Sequence, residues 1–475
     1  MGLRINTNVN ALTALTNLRR TDSTLATSLQ RLSTGLRINK ASDDPAGLVI
    51  SEQFRAQIVS TNQAIENTQF NSNLIGTTEA ALQEISDLLI GIRESAIFAK
   101  NTGGISDEQV QAEQDAVDSA ISAIDRIAST TRFGRRNLLD GSAGFVTSTG
   151  GNGLDNLNVQ SVFLGGTSQA FFTAQVTGLA SQATRALPAG IVASNTGGNV
   201  TIRVTGALGS EDLSFFSTVS QAQLSAAINA TRDFTGVYAS GGAAFSETFG
   251  ADVAIQIDVT SGTAAAGVEG RDEGVDATVV VAGAQVQVDG LEVRIQSSFI
   301  KAQFTVAASS YSQTFAVKDF SGLVFQLGSE PKASDQVRIG IQSVDSGQLG
   351  FEEITLPGPG GDPIGGFLSS LTAGGDNDLA SNPDNAIRIL DKALDQVNGL
   401  RGYLGALQAD TLEPNERSLS VAVENLTASE SSIRDLDFAA ETSNFTRAQI
   451  LFNAGTAVLA SANLIPQQVL SLLGG

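Results

Sequence analysis

Two places in this sequence set carboxylates close enough to hold a cation or to share acid–base work: the pair Asp43-Asp44, and the cluster Glu269, Asp272, Glu273 and Asp276. A calcium loop draws its oxygens from fixed alternate positions. The 269–276 cluster lacks that full spacing, so a solvated turn is the better reading. Asp43-Asp44 stands directly before Pro45 and an apolar periodic run. Ser42 to Asp44 suit a helix cap. Pro45 suits the first turn, where a missing N–H would have no helical partner anyway. A capping loop therefore outweighs a metal-binding pair. Asn199, Asn229, Asn425 and Asn444 each open an Asn-x-Thr triplet. Two of these lie in helical patterns that read as buried, so chance is the better explanation. Arg31, Arg434 and Arg447 sit beside apolar stripes, placed either to pair with carboxylates between chains or to solvate a helix. Exposed pairs of that kind contribute only about 0–1 kcal/mol.

Absences exclude more chemistry than these residues offer. The chain has 475 residues with no Cys, His or Trp, and Met1 is its only Met. Disulfides, thiolate catalysis and Cys-based zinc sites are excluded. So are a Ser-His-Asp triad and a His-Glu-x-x-His zinc protease. Carboxylates, Lys and Tyr remain, but they form no convergent pattern, and no cofactor motif is present. A net charge of -21 argues against a nucleic-acid partner, because phosphates need a basic surface. No apolar run reaches the length of a membrane span. Residues 1–25 show neither an apolar signal core nor a small-residue cleavage site, so export by the general signal-peptide route is not expected.

The elements divide into three zones. In the first, Leu15, Leu18, Leu25, Leu29, Leu32 and Leu36 recur at helical spacing, with one interruption at Asp22. Near the other end, Leu451, Ala454, Val458, Ser461 and Ile465 repeat the rhythm. A three-four spacing draws a narrow seam along a helix, and neither seam can be buried alone. The chain is therefore expected to fold back and pair its ends. The first helix is expected to end near Leu36 to Asn39. A long helix follows from Pro45 to about Ala99, stopped by Asn101-Thr102-Gly103-Gly104, and a third starts near Ser106. Between residues 141 and 375 the period switches to two. Val200, Ile202 and Val204 alternate, as do Val253, Ile255, Ile257 and Val259, and Asp289-Gly290 between alternating runs signals a hairpin. One helix is embedded from about Gln221 to Ala230. Residues 357–366 and 373–385 read as a return linker. Helical stripes resume at Ile387, Leu390, Leu394, Val397 and Leu404, then at Leu419, Ala422, Leu426, Ile433, Leu436 and Ala440, with Pro414 expected to kink or break the run.

Residues 30–51, QRLSTGLRINKASDDPAGLVIS, resemble the N-terminal signature of bacterial flagellins, as does Ile5-Asn6-Thr7-Asn8. Residues 430–473 resemble the C-terminal signature, and the run Phe133 to Gly141 resembles the motif that closes the N-terminal helical domain. Residues 219–240 are more weakly similar to a helix-and-turn element of flagellin insertions. The resemblance covers about the first 145 and last 95 residues.

The resemblance implies an α+β multi-domain chain. Its N- and C-terminal helices would form a coiled coil and a helical rod, with a β-rich central insertion. The implied boundaries are 1–42 and 431–475 for the inner coiled coil, 43–145 and 376–430 for the rod, and 146–375 for the outer β domains. It implies a non-enzymatic filament subunit, exported unfolded by the flagellar type III apparatus and acting as a rotating helical propeller. Its partners would be further copies of itself, sibling flagellins, the flagellar cap, hook-junction proteins and an export chaperone. No cofactor, nucleic acid or membrane insertion is implied. Subunit contacts would fall on the leucines of 15–36 and on Ile433, Leu436, Ile450, Leu451, Val458 and Ile465, with Asp43, Asp44 and Pro45 as the inter-domain loop. A hook–filament junction protein is the alternative, and a binding activity in the insertion a more distant one. Receptor-activating flagellins place a basic residue and then a leucine on the long rod helix, where this chain has Gly91 and Ser95. The loss of both large side chains implies weak activation of the animal Toll-like receptor. Isolated helices are marginal because nucleation is costly. The seam leucines together represent on the order of 10 kcal/mol that appears only when partners cover them. The ends of the free monomer are therefore expected to be disordered.

Overall fold

In the computed structural model the described residues are 8–101, 103–149, 154–162, 169–187, 190–191, 200–216, 219–261, 269–281, 284–297, 300–306, 312–318, 322–351 and 366–473. Ile5, Asn6, Thr7, Asn199, Tyr311 and residues 357–365 of the linker lie outside them. The helices are α1 (Val9–Thr34), α2 (Pro45–Ala99), α3 (Asp107–Thr130), α4 (Gln221–Ala230), α5 (Arg232–Thr235), α6 (Pro383–Leu407), α7 (Glu413–Arg434) and α8 (Phe438–Leu473). The chain divides into two compact units: Met1–Glu66 with Asn415–Gly475, and Asn67–Pro414.

The first unit is built on α1 and α8. Gly35 ends α1 in the left-handed conformation at φ 71°, a region open to a residue without a side chain, and its N–H donates to Arg31 O at 2.8 Å. The helix thus stops a little before the stretch expected from periodicity. Asp437 starts α8, its Oδ1 accepting from the N–H groups of Ala439 and Ala440 at 2.9 and 3.1 Å.

The second unit begins with the helical core of α2, α3 and α6. Leu82, Ile85, Leu89 and Ile92 are buried with Val117, Ile121 and Ile124 of α3 and Ile389, Leu390 and Val397 of α6. Ion pairs join α6 to α2 and the residue that follows it: Arg93 to Asp391 at 2.6 Å, Arg401 to Glu79 at 2.8 Å, and Lys100, just past the end of α2, to Asp384. Leu323, Phe325, Ile339 and Ile341, which sequence pattern assigns to the insertion, join this same core. After α6 a π turn at Gln408–Leu412 absorbs the approach to Pro414, so the chain passes the proline without leaving helical geometry. A proline's missing N–H breaks the regular ladder, and a π turn is a common local accommodation.

The β region forms two lobes with separate apolar clusters. In the first, a six-stranded antiparallel sheet runs in the order 285–289, 292–296, 300–306, 154–162, 336–339, 323–326. A four-stranded sheet (278–281, 169–178, 312–318, 147–149) shares its core of Val293, Ile295, Phe304, Phe315 and Val279. The expected hairpin is present: Asp289 pairs with Glu292 across a two-residue loop, with Gly290 at φ 59°. In the second lobe Val200, Ile202 and Val204 face inward with Ile255 and Ile257, against Leu224 and Ile228 of α4. Ser220 caps α4 by a reciprocal box with Gln223.

Candidate assembly interface

The residues at the junction between α1 and α2 are held by short polar contacts. The carboxylate of Asp43 accepts from the N–H groups of Asn39 and Lys40, both at 3.0 Å. Those two bonds hold its pKa below the ordinary 3.8. Asp44 Oδ1 accepts from Gly47 N–H at 2.9 Å and so caps α2, whose first residue is Pro45. The Asp43-Asp44 pair is thus used as a cap and loop. Leu36 bridges Asp435 in antiparallel fashion. Arg37 N–H donates to Arg434 O at 2.7 Å, and Leu436 N–H to Gly35 O at 3.0 Å. The Arg37 guanidinium also donates to Ile433 O. Arg434 pairs with Glu52 at 2.8 Å. Hydrogen bonds from Arg55 first, and then from Arg434, hold the Glu52 carboxyl low.

Along α1 and α8 the covered positions form two complementary stripes. On α1 they are Ala11, Ala14, Leu18, Thr21, Leu25, Ser28 and Leu32; on α8, Glu441, Phe445, Ala448, Phe452, Gly455, Leu459 and Ala462. Each stripe alternates steps of three and four, the seam of a coiled coil. The helices run antiparallel. Asn8 donates to Ala462 O at 2.8 Å, Leu18 Cδ1 would lie 3.2 Å from a Cβ on Gly455, and Arg31 approaches Glu441 at 3.9 Å. That register sets Ala14 level with Leu459, Leu18 with Gly455, Thr21 with Phe452, Leu25 with Ala448 and Ser28 with Phe445. In each of these layers one large side chain meets one small one.

The stripes covered within one chain differ in part from the seam expected to pair its ends. Leu15, Leu18, Leu25, Leu32, Leu36, Ile433 and Leu436 are half-buried, but Leu29 is 58% exposed. On α8, Leu451 and Val458 lie on the neighbouring stripe and face out, as does Ile450, 63% exposed. Ile465 lies in α8, but its side chain falls outside the described residues. The physical reason is polarity: traced back along α8, the Leu451 stripe runs into Arg447 and Asn444, whereas the stripe one residue further along places Ala448 and Phe445 there. Sequence spacing alone did not separate two stripes one residue apart. Asn444 and Arg447 on one stripe, against Phe445 and Ala448 on the other, are the signal that distinguishes them.

The uncovered apolar surface is therefore extensive: Val9, Leu12 and Leu29 on α1, and Phe438, Ile450, Leu451, Val458 and Leu464 on α8. Phe438, Ala439, Thr442, Ser443, Thr446, Arg447, Ile450 and Leu451 line an open groove. Large apolar side chains are thus left facing solvent on both helices. On α2, Gly91 is exposed with open space beside it, and Ser95 is half-buried, its Oγ donating to Glu113 Oε2 at 2.6 Å. Among the described residues no group of three or more His, Cys, Asp or Glu is placed to hold a metal ion, and no helix is long and apolar enough to cross a membrane.

A chain that pairs its two ends and leaves an apolar stripe on each belongs to the class of self-associating structural subunits. Residues 5–144 match the bacterial flagellin N-terminal helical region, and residues 387–473 the bacterial flagellin C-terminal helical region. The chain is 31% identical to a flagellin of Salmonella rubislaw, over 99% of both chains. It is 31% identical to the B-type flagellin of Pseudomonas aeruginosa over the full length of both. FlgL of Xanthomonas campestris covers 80% of this chain and 99% of its own at 11% identity, but its TM-score of 0.30 is too low to define a shared fold. The chain belongs to the bacterial flagellin family. It is a structural subunit of the extracellular flagellar filament, the propeller of swimming motility.

Proposed function

We propose that the two faces of the α1–α8 pair divide the work of assembly. The large-to-small seam sets the register within one chain. The outer stripes of Val9, Leu12, Leu29, Ile450, Leu451, Val458 and Leu464, with the Phe438 groove, receive neighbouring copies. The observation that carries this reading is the exposure of these side chains on a helix pair whose inner face is already covered. Burying a large apolar side chain fully contributes about 1.5–3 kcal/mol, so these positions supply a strong drive to polymerise. The intramolecular seam spends half its positions on Ala, Gly, Ser and Thr, and is correspondingly weak by itself. Ordering of the ends is therefore coupled to assembly. Asp43, Asp44 and Pro45 form the inter-domain loop. The subunit carries no catalytic activity. Its partners are its own copies, sibling flagellins, the flagellar cap and hook-junction proteins, with a chaperone covering the exposed stripes before type III export.

Electron microscopy of the purified chain in precipitant salt, with and without residues 1–40, tests the assembly reading. Long filaments are expected from the full chain only. Short or absent assemblies from a well-folded full chain would favour a hook–filament junction protein, or a subunit that needs a partner flagellin or the cap. We further propose weak activation of the animal Toll-like receptor, because Gly91 and Ser95 offer no large side chain to an interface. A reporter-cell assay with purified monomer should give little signal, and strong signalling would refute this.

A further inference from the structure

The second β lobe and the helical core have separate apolar clusters, and no side chain of one is a member of the other. Among the described residues, a narrow neck and a charged contact join this lobe to the rest of its unit, beside Phe249, which packs against the first lobe's core. Three chain segments make the neck. Ser181 bridges Val275, Gly250 N–H donates to Ser181 O at 3.5 Å, and Asp276 Oδ1 accepts from Ala251 and Gly290 N–H at 2.8 and 3.0 Å. The strands cross so closely that a Cβ on Gly274 would lie 2.3 Å from Gly250 O.

The charged contact is made by Glu247, which is only 7% exposed. Its backbone is fixed within the lobe, N–H to Gly236 O at 2.9 Å, and the preceding Ser246 Oγ accepts from Ala183 N–H at 2.9 Å. Its carboxylate takes two arginines from different elements. Arg232 of α5, in the same lobe, lies 3.0 Å from Oε1. Arg388 of α6 approaches both oxygens, at 2.5 and 3.2 Å. A planar guanidinium engaging two carboxylate oxygens fixes orientation as well as distance. One turn further along α6, on the same face, Lys392 pairs with Glu292 of the first lobe at 3.4 Å. Thus α6 turns Asp384 and Asp391 toward Lys100 and Arg93, and Arg388 and Lys392 toward acids of the two β lobes.

We propose that Glu247 and Arg388 form an ionic latch that sets the pose of the second β lobe against α6, with the glycine-bearing neck as the hinge on which the lobe swings when the latch opens. A buried charge pair is a poor source of net stability but a strong geometric constraint, and breaking one side leaves the other charge uncompensated. Opening therefore changes the pose of an intact lobe rather than its fold.

Because the chain has no Cys, two introduced cysteines are the only labelling sites. Spin labels at Glu94→Cys on α2 and Glu211→Cys in the lobe, both exposed positions, report the distance between them in the full chain by pulsed electron resonance. A single narrow distance is expected in the parent. It should be lost to a broad, longer distribution in Arg388→Gln and in Glu247→Gln, and kept in the distant control Lys332→Gln. Amide protection at Ile202, Val204 and Ile255 should stay at parental levels in Arg388→Gln. If Glu247→Gln unfolds the lobe, Arg388→Gln alone decides. A narrow distance that persists in Arg388→Gln overturns the latch. So does loss of amide protection in that variant, since the residue would then hold the fold rather than the pose.

Discussion

Gly47 shows how closely the junction before α2 is built. A Cβ there would lie 2.4 Å from Asp44 Oδ2 and 2.8 Å from Ile38 Cδ1. Ile38 is fully buried and Asp44 is committed to capping the helix, so neither can yield freely. Gly47→Ala should therefore destabilise the junction by about 1–3 kcal/mol, the usual cost of overpacking. Hydrogen exchange of the Leu48 to Ser51 amides checks this, with protection expected to fall relative to the parent. Asp43 and Asp44, a candidate metal pair by residue type alone, take their meaning from which N–H groups lie in front of them. Asp43 faces two backbone donors, which favour its charged carboxylate without any cation, and Asp44 spends an oxygen on capping α2.

At the scale of the element, the α1–α8 pair is specified by size complementarity. Sliding one helix by half a heptad would bring Leu18 level with Leu459 and Leu25 with Phe452, so the alternation of Leu18 against Gly455 and Ser28 against Phe445 excludes that register. Gly455→Leu should push Leu18 out of its layer and part the helices there. Gly455→Leu is expected to lower the sedimentable polymer fraction at least several-fold under conditions where the parent assembles. Unchanged assembly would mean that the seam tolerates separation and that register is set elsewhere. The spacing of leucines made both helices legible in the sequence, along with the capped start of α2, the embedded α4 and the hairpin at Asp289-Gly290. It did not choose between the stripes through Leu451 and through Phe452. Adjacent residues on a helix are only 100° apart, and a half-apolar helix presents both faces as plausible seams until its partner is known.

For the whole molecule, the balance lies between apolar attraction and a net charge of -21. Like-charged subunits repel over about 10 Å at 0.1 M salt and over much less at higher ionic strength. Apolar contact is not screened in this way, and precipitant salts strengthen it. Polymerisation should therefore accelerate as salt is raised from low to moderate concentration, with light scattering as the readout. A rate that falls with salt would show that attractive charge pairs, not the apolar stripes, dominate the contacts between subunits.

The sequence by itself determined that the chain has helical ends and a β-rich middle. It also excluded thiol and imidazole chemistry, because periodicity and residue type are local properties that need no partner to be read. Tertiary structure decided which stripe of α8 meets α1, because that depends on the shape of a surface more than four hundred residues away in the chain. It brought Leu323, Phe325, Ile339 and Ile341 into the helical core, although their alternation reads as part of the insertion. It also set Glu247 between Arg232 and Arg388. No spacing rule links Glu247 to Arg388, because a salt bridge between the lobe and α6 follows from how the two are placed, not from the pattern within either one.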